Sequence, residues 1–446
     1  MIDGPRILIV SEHASARFGG EAALPLHYFR VLRKRGFPVW LVTHERTRAE
    51  LSKLFPDEQR ILYVEDTRLH RLMWHASRML PARIAYFTVG FVSRFAAQLR
   101  QRQLVRKLIA EEGIEIVHQP MPVSPREPSM MYGFDVPVII GPMNGGMDYP
   151  PAFQRHRGVV ERGLLRLGRL SSILLNRLIP GKRVAALLLV ANSRTRAALP
   201  GGTCPRVVQI VENGVDLSLW QSPAPSESEK SADRPPTFVF VGRLVDWKAV
   251  DLLLHAFKRA ASREPMHLLI IGDGAESDRL KSLAQLLGIR AEIPGQSGTV
   301  FFAGWLDQDR CAEELRHIDC LVLPSLLECG GAVVLEAMSM SKPVIATDWG
   351  GPADYISNRS GLLVPPTTKD ALIQGLEDAM VRLAASPSVR KQMGENGRRE
   401  IELNYDWEIK IDRILELYRD VLAKNFNATE ADVHRVRHHG RRSVDQ

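Results

Sequence analysis

The sequence contains few cysteines and lacks any long apolar run. Its four cysteines, Cys204, Cys311, Cys320 and Cys329, are widely spaced and form no paired motif, which argues against a disulfide framework and against a zinc site. The uncharged apolar runs, such as AALLLVA from Ala185, are far shorter than the ~20 residues of a membrane-spanning helix, and no basic segment followed by an apolar stretch opens the chain. We therefore expect a protein of a reducing cytoplasm that is neither exported nor threaded through a membrane.

Acidic residues are scarce in the first half of the chain. Residues 1–210 carry 31 Lys and Arg against 16 Asp and Glu, a balance of +15, whereas the remainder carries 28 against 35, or −7. Between Asp66 and Glu111 there is no carboxylate, but nine Lys or Arg are interleaved with apolar and aromatic residues. A second basic region starts at Gln154 and holds a lone acid, Glu161.

Such basic and apolar stretches are typical of helices that lie on an anionic lipid surface, where each Lys or Arg contributes roughly 1 kcal/mol. Ordinary amphipathic helices with solvated arginines would have the same composition. Nucleic acid is not an expected partner, because the sequence contains no recognised RNA- or DNA-binding module.

Strand-like segments alternate with helical ones along the whole chain. The chain has 446 residues, which is longer than a domain with a single hydrophobic core usually is. Its composition, 45% hydrophobic and 25% charged residues, is ordinary for globular proteins. Buried strands are predicted at RILIV, VWLVT, EIVH, VPVIIG, TFVFVG, HLLIIG, TVFFAG, CLVLP and PVIAT. This alternation predicts an α/β fold with two doubly wound domains, whose ligands gather at the carboxyl ends of the strands in a cleft between them.

Two glutamates, Glu328 and Glu336, lie eight positions apart around a turn of small residues. The helix predicted for AVVLEAM begins at Ala332, beside Gly330 and Gly331. A helix that opens onto glycines presents unpaired N–H groups and roughly half a positive charge, which favours a bound phosphate. The flanking carboxylates suit sugar hydroxyls, which can donate to them, although helix capping and a solvated helix face would also account for two glutamates here.

An earlier turn in the same half carries two cations. The segment TFVFVGRLVDWK predicts a strand, a turn at Gly242, and then Arg243 and Lys248 ahead of an apolar-periodic helix. These cations suit a diphosphate, which Arg243 would bind through its fork of donors and Lys248 as a compact charge. A solvated turn is the alternative interpretation.

Taken together, these segments resemble the family 4 retaining glycosyltransferases, or glycosyl transferases group 1. The resemblance lies in the GRL-x-x-x-K start, the Glu-x7-Glu block and the PVIAT strand. It extends to RILIV with the following Gly19 and Gly20, to ENGVDLSLW, to IGDGAESDRL and to the late DWEIKIDRILELY helix. It implies the GT-B fold, in which two Rossmann-like domains face each other across a cleft and the last helix crosses back to the first domain.

On this basis we expect the following division of the chain. Residues 1–212 form the acceptor-side domain, and residues 213–405 form the nucleotide-sugar domain, with a Ser- and Pro-rich, linker-like segment at 221–236. Residues 406–424 form the returning helix, and residues 425–446 form a disordered basic tail.

The resemblance also implies a reaction, the retaining transfer of a hexosyl group from a nucleoside diphosphate sugar to an acceptor hydroxyl. The catalytic residues would be Arg243 and Lys248, which stabilise the departing diphosphate, and Glu328, which holds the hydroxyls of the donor sugar. Glu336 would hold the ribose hydroxyls. The expected donor-binding set is Gly242, Gly330, Gly331, Ala332, Val333 and Glu336.

The acceptor-side prediction rests on Gly19, Gly20, His118 and Asn144. Many relatives have a histidine in the loop after the VPVIIG strand, whereas this chain has Pro142, Met143 and Asn144 there. His118 ends the strand EIVH and is the nearest substitute, although a lone histidine after a strand also fits a structural role.

No cofactor and no obligatory metal are expected. The segment Asp307-Gln308-Asp309 resembles the metal-binding dyad of the other glycosyltransferase fold, but it opens a predicted helix, where acidic caps are common. Neither half of the sequence contains a complete GxGxxG motif, which argues against a dinucleotide dehydrogenase.

The expected acceptor is a glycan or a lipid-linked glycan at the inner face of a bacterial membrane, for exopolysaccharide, lipopolysaccharide or glycolipid synthesis. A soluble sugar acceptor would fit if the basic helices only coat the domain. Two alternatives stay open, a phosphorylase or epimerase on the same fold and a catalytically idle scaffold of a membrane polysaccharide complex. The sequence leaves the base and the sugar of the donor open.

Overall fold

The chain divides into two compact units. The computed structural model describes residues 4–66, 73, 89–156, 159–222, 234–291 and 297–440. The first unit consists of Met1–Gly146, Gly163–Glu212 and Lys410–Gln446, and the second consists of Met147–Arg162 and Asn213–Ile409. The segment Met147–Arg162 thus belongs with the second unit, although we expected it within the domain 1–212.

A parallel sheet of seven strands forms the centre of the first unit, in the order β3-β2-β1-β4-β5-β6-β7. Its strands are rich in Val, Ile and Leu, and most are buried along their whole length, as is usual when helices cover both faces of a parallel sheet. The strand order reverses between β1 and β4, which is where ligands of doubly wound sheets bind. The strands are β1 (Ile7–Val10), β2 (Val39–His44), β3 (Ile61–Val64), β4 (Ile116–Gln119), β5 (Val138–Met143), β6 (Leu187–Val190) and β7 (Val207–Gln209).

Helices of the first unit cover this sheet with apolar faces. Tyr28, Phe29 and Leu32 of the first helix are completely buried, and Val105 of the third joins the core formed by the strands. Burial of these faces stabilises the helices far more than their intrinsic propensity does. The helices are α1 (Gly20–Lys34), α2 (Arg48–Leu54), α3 (Val89–Glu112), α4 (Val159–Leu178), α5 (Gly181–Val184) and α6 (Ser193–Ala197), and α4 belongs to this unit from Gly163 onward.

A second parallel sheet of seven strands forms the centre of the second unit, in the order β10-β11-β9-β8-β12-β13-β14. Here β8 lies between β9 and β12, so the segments that follow β8 and β12 emerge side by side at the carboxyl edge. The strands are β8 (Thr237–Val241), β9 (His267–Ile271), β10 (Arg290–Ala291), β11 (Thr299–Gly304), β12 (Cys320–Leu323), β13 (Val344–Thr347) and β14 (Gly361–Val364).

The remaining helices flank the second sheet, and the last one returns to the first unit. Helix α14 starts with Trp407, and the chain belongs to the first unit from Lys410 onward. The helices are α7 (Val250–Ala260), α8 (Ser277–Leu286), α9 (Gln308–His317), α10 (Ala332–Ser339), α11 (Gly351–Tyr355), α12 (Lys369–Ala385), α13 (Pro387–Asn404) and α14 (Trp407–Gly440).

The predicted fold class, two doubly wound α/β domains, is confirmed. All nine predicted strands are present, and the strands that sequence patterns missed are β3, β6, β7, β10 and β14, of which β3, β7, β10 and β14 lie at or near sheet edges. Most of the linker-like segment 221–236 lies outside the described residues. We expected disorder from residue 425; the structure gives residues 425–440 a helical backbone, since no Pro or Gly interrupts α14 before Gly440, and residues 441–446 are not described.

Candidate functional site

Two strand ends of the second sheet approach each other at Gly242 and Gly272, so closely that no side chain fits on Gly272. Gly242 follows β8 with a φ of 155°, and its N–H donates to the carbonyl of Ile271 at 3.0 Å. A Cβ atom on Gly272 would lie 1.9 Å from the carbonyl oxygen of Gly242. Gly242, predicted to bind the donor, therefore lies at the carboxyl edge of the sheet, where the backbone is open to a ligand.

Arg243 and Lys248 follow this turn, and their surroundings differ. Lys248 ends the 3-10 helix Asp246–Lys248, and its ammonium group forms an ion pair with the Glu328 carboxylate. Both side chains of this pair are only 14% exposed, and Ser325 Oγ donates to the same oxygen, Glu328 Oε2, at 3.3 Å. Arg243 is exposed, and within the described ranges its guanidinium makes no hydrogen bond or ion pair, so it is accessible to an anionic ligand.

The meeting of Lys248 with Glu328 follows from the strand order. Strands β8 and β12 pair in register, with Phe238 opposite Cys320, so the loops that follow them are neighbours. The N–H of Leu326 donates to the carbonyl of Trp247 at 2.8 Å, which ties the two loops together directly. The fold therefore brings two of the three residues predicted as catalytic, Lys248 and Glu328, into contact. The third, Arg243, lies in the segment that joins β8 to Lys248.

Gly330 and Gly331 form the turn that precedes α10, as predicted. Gly331 is the N-cap residue with a φ of 77°, and having no side chain it makes no capping bond to the first amides of the helix, those of Ala332 and Val333. A Cβ atom on Gly331 would lie 3.1 Å from Glu328 Cγ. The turn thus holds Glu328 closely and leaves uncapped amides at the positive end of α10, an arrangement that suits a phosphate.

Glu336 lies on α10 and is half-buried, and no hydrogen-bond donor or cation pairs with its carboxylate in the described part of the chain. Burial raises the pKa of this carboxyl to about 7. The buried thiol of Cys311 lies near it, and burial followed by the Glu336 charge raises the pKa of Cys311 to about 12. A half-buried carboxylate without a donor from the protein can accept hydrogen bonds from a ligand, and hydroxyl groups are such donors.

Asp307 behaves as a helix cap. Its Oδ1 accepts a hydrogen bond from the N–H of Arg310 at 3.0 Å at the start of α9. Within the described ranges no group of three or more His, Cys, Asp or Glu side chains is arranged to hold a metal ion.

The glycines predicted on the acceptor side, Gly19 and Gly20, begin α1 in the first unit. Gly19 is the N-cap residue with a φ of 91°, and a Cβ atom on either glycine would meet no atom within 4 Å. Positive φ, and not crowding, thus favours glycine at position 19. The loop before it is fixed by Glu50, which accepts hydrogen bonds from Ser15 Oγ and, at 2.8 Å, from the N–H of Ala16.

His118 lies in the core of the first unit. It is completely buried in β4, its Nε2 is 2.6 Å from the carbonyl oxygen of Gly141, and its Nδ1 is 2.6 Å from the hydroxyl of Tyr418. Since a carbonyl only accepts, Nε2 carries the proton and Nδ1 accepts from Tyr418. Burial lowers the pKa of His118 to about 4. Both ring nitrogens are used within the protein, which fits a structural role and not the predicted position facing an acceptor.

Asn144 is also buried and fixed by protein groups. Its Nδ2 donates to Glu212, and its Oδ1 accepts from Asn192 and from Thr195, each at 3.4 Å. Glu212 lies near the buried ammonium group of Lys410, which donates to the carbonyl of Glu212 at 3.2 Å; burial lowers the pKa of Lys410 to about 7. Asn144 therefore orders the loop after β5, and its amide is committed to that network.

A polar cluster that the sequence analysis missed lies where β1 and β2 end. Glu12 and His13 follow β1, with 3.6 Å between His13 Nε2 and Glu12 Oε1. His44 ends β2, and its Nε2 is 3.2 Å from the Asp66 carboxylate, which also pairs with Arg46 at 3.3 Å. These residues lie beside the point where the strand order reverses. The signal in the sequence was the polar run SEH directly after the first buried strand.

Two neighbouring members of this cluster, Glu12 and His13, have shifted pKa values. Burial, reinforced by the nearby His44 and Arg46, lowers the pKa of His13 to about 4, so its ring is neutral at pH 7. Burial raises the pKa of Glu12. A neutral imidazole and a partly desolvated carboxyl at a ligand-binding edge suit contacts with hydroxyl groups.

Comparison with known proteins gives a family match over part of the chain and gives the fold. Residues 222–400 match the family described as glycosyl transferases group 1. The chain is 31% identical over 241 residues to the D-inositol 3-phosphate glycosyltransferase of Rhodococcus erythropolis, an alignment that covers 51% of each chain. The chain thus spans about half the length of the curated relatives it matches.

Among solved structures, sucrose-phosphate synthase from Thermosynechococcus elongatus superposes with a TM-score of 0.64 at 20% identity, over 94% of this chain and 100% of that chain. Anabaena Alr3699/HepE in complex with UDP superposes with a TM-score of 0.62 at 15% identity, over 92% of this chain and 99% of that chain. At this level of identity the superpositions establish the fold, which is the GT-B fold expected from the sequence.

Proposed function

Because residues 222–400 belong to the glycosyl transferases group 1 and the chain has the GT-B fold of family 4-like glycosyltransferases, we propose that it transfers a sugar from a nucleoside diphosphate sugar to an acceptor hydroxyl, with retention at the anomeric carbon. The donor binds to the second unit, at the carboxyl edge of its sheet. The sugar transferred is a hexose.

One observation carries this proposal, namely the Lys248–Glu328 ion pair beside the glycine turn that opens α10. The fold places a cation, a carboxylate and uncapped amides next to each other, and together they suit the diphosphate and the sugar of the donor. Lys248 and the amides suit the diphosphate, and Glu328 suits the sugar hydroxyls. The unpaired carboxylate of Glu336 further along α10 suits the two ribose hydroxyls.

The proposed step breaks the bond between the anomeric carbon and the phosphate oxygen and forms a bond from that carbon to the acceptor oxygen on the same face. The acceptor proton passes to the departing phosphate. Arg243 and Lys248 stabilise the negative charge that grows on the diphosphate, which is usually the largest electrostatic contribution in such reactions. No metal ion is required, because these two cations and the amides of Ala332 and Val333 supply the positive charge.

The proposed acceptor is a glycan or a lipid-linked glycan bound by the first unit at an anionic membrane surface. The excess of 15 positive charges over residues 1–210 supports an acidic or lipid-bound acceptor. The cluster of Glu12, His13 and His44 supplies groups that bind hydroxyls at the ligand edge of that unit. The setting is polysaccharide, lipopolysaccharide or glycolipid synthesis at the inner face of the plasma membrane. In the part of the chain that the structure describes, no helix is both long and apolar enough to cross a bilayer.

The experiment is a transfer assay with UDP, GDP and ADP sugars against a lipid-linked glycan extract, with release of the nucleoside diphosphate as one readout and the anomeric configuration of the product by NMR as the other. The proposal predicts turnover with one nucleotide class and an axial-to-axial or equatorial-to-equatorial relation between donor and product. An inverted product would exclude retention. Sugar release that depends on inorganic phosphate would assign a phosphorylase instead.

A further inference from the structure

Helix α4 carries a row of large apolar side chains on its outer face. Leu170, Ile173, Leu174 and Leu178 are exposed to 66%, 44%, 58% and 69%, respectively. Their spacing of i, i+3, i+4 and i+8 places them on one face of the helix. Val184 in α5, just beyond the end of α4, is exposed to 57%. We name the surface formed by these five residues the α4 face.

The opposite face of α4 is fixed to the first unit. Ser172 Oγ and Asn176 Nδ2 both donate to the carbonyl of Arg126, at 2.6 and 2.8 Å. Leu175 and Ile179 pack into the core of the unit. The α4 face therefore points away from the protein as a consequence of how the helix is anchored, and not because the helix is loosely attached.

The sequence of α4 from Arg162 and of the segment that follows it carries charge of one sign. From Arg162 to Val211 the chain contains nine Lys or Arg and no Asp or Glu. Arg177 lies within the apolar row and is exposed, and Arg183 is exposed next to Val184. A second copy of this chain would bring like charges together, which opposes self-association through this surface.

We propose that the α4 face is a docking surface for an anionic lipid bilayer. The apolar side chains would enter the boundary between head groups and acyl chains while Arg177 and Arg183 contact lipid phosphates, which is how interfacial amphipathic helices bind. Apolar burial alone would bind neutral and anionic bilayers alike, and the cations make the anionic surface the preferred one. This inference locates the membrane contact that the proposed function includes. Its test does not depend on catalytic turnover.

The test is cosedimentation of the full chain with vesicles of phosphatidylcholine containing roughly 30% phosphatidylglycerol, and with vesicles of phosphatidylcholine alone. We expect binding to the anionic vesicles that weakens with added salt. The double variant Leu170→Ser, Leu174→Ser should lower the partition coefficient by roughly tenfold or more, since each exposed leucine that enters a bilayer contributes a kilocalorie or more. These leucines are solvent-exposed, so the variant should keep the thermal stability of the wild type.

Matched controls distinguish binding through the α4 face from nonspecific binding of exposed side chains to vesicles. Leu286→Ser removes a leucine that is 85% exposed on α8 of the second unit and should leave vesicle binding unchanged. Arg177→Glu should weaken binding to the anionic vesicles more than Arg382→Glu, an exposed arginine of α12. Equal binding by wild type and the double variant would overturn the proposal, as would absence of binding by the wild type.

Two further readouts distinguish the competing results. If sedimentation velocity shows a dimer that the double variant dissociates, and the vesicles pellet neither protein, the α4 face is a contact between copies and the proposal is wrong. Thermal stabilisation by a nucleoside diphosphate should be the same in the double variant as in the wild type. Failure of vesicle binding with intact nucleotide binding would therefore overturn this inference alone and leave the proposed reaction standing.

Discussion

The ammonium group of Lys248 pairs with the carboxylate of Glu328 across 80 positions of the sequence. Both groups are mostly shielded from water, and each neutralises the other beside the turn that opens α10. An ion pair between partly desolvated groups is strongly disturbed when one partner is removed, because the other charge is then left uncompensated. The pair therefore couples the two loops that we propose to bind the donor.

Replacing Lys248 with alanine should reduce transfer by roughly 10²–10³-fold in kcat, because one of the charges that stabilises the departing diphosphate is lost. Steady-state kinetics with the preferred donor measure this. Lys391→Ala on α13 removes an exposed lysine of the same unit and should leave kcat unchanged. Unaltered kcat in the Lys248 variant would remove this residue from the proposed mechanism.

The affinity for the nucleoside diphosphate should depend on the ionisation of Glu336. Burial raises the pKa of this carboxyl to about 7, and only the carboxylate accepts from both ribose hydroxyls. Lowering the pH from 8 to 6 should thus weaken binding by up to about tenfold, measured by titration calorimetry. Glu336→Gln should bind more weakly at pH 8 and lose this pH dependence, whereas Glu395→Gln on α13 should retain it. The same pH slope in both variants would contradict the role given to Glu336.

The same residue should lower the stability of the protein alone. Since the pKa of Glu336 is raised above its ordinary value of 4.5, ionisation of this group opposes folding. Its cost is absent below pH 4.5 and fully present above pH 7. The Glu336→Gln variant should therefore melt a few degrees higher than the wild type at pH 8 and at nearly the same temperature at pH 4.5.

Replacing Gly331 with alanine should reduce transfer through the position of Glu328. The backbone φ of 77° costs an alanine roughly 1 kcal/mol, and the new methyl group would press on Glu328 Cγ, 3.1 Å away. We expect a loss of at least tenfold in kcat/KM with a small change in melting temperature. Gly201→Ala, at a glycine with open space around it, is the control. A fully active Gly331→Ala enzyme would show that the turn tolerates a side chain and does not fix Glu328.

His118→Phe should destabilise the protein without changing the rate per folded molecule. The substitution leaves the Gly141 carbonyl and the Tyr418 hydroxyl unpaired, at a cost of roughly 1–3 kcal/mol for each group. Because burial lowers the pKa of His118 to about 4, its contribution to stability is present above pH 6.5 and is lost as the pH falls toward 4. Urea unfolding and initial rates at the same pH separate the two effects. A variant of normal stability with a large loss in kcat would contradict the structural role and would indicate that His118 acts at the acceptor site.

Sequence patterns predicted nine of the strands and the glycine turns of the second unit because both depend on local signals. A glycine turn after a buried strand marks Gly242 and Gly331 without knowledge of the fold. The contact of Lys248 with Glu328 was not predictable in the same way, because it depends on β8 and β12 being neighbours, and strand order is not written in local periodicity.

The first unit was harder to predict for a related reason. A fully buried strand has no polar face, so the residues around His118 in the sequence do not indicate which way its side chain points. The side chain lies in the core and contacts Tyr418, which is 300 positions later in the chain. The polar pair of Glu12 and His13 has no motif of its own and gains significance only from its place where the strand order reverses.

The most direct test of the central claim is the thermal shift of the purified chain in the presence of UDP, GDP, ADP and their sugars at pH 8. We expect one nucleotide class to raise the melting temperature, Glu336→Gln and Lys248→Ala each to reduce the shift, and Lys391→Ala to leave it unchanged. A wild-type protein whose melting temperature no nucleotide changes would contradict the claim that the second unit binds a nucleoside diphosphate sugar.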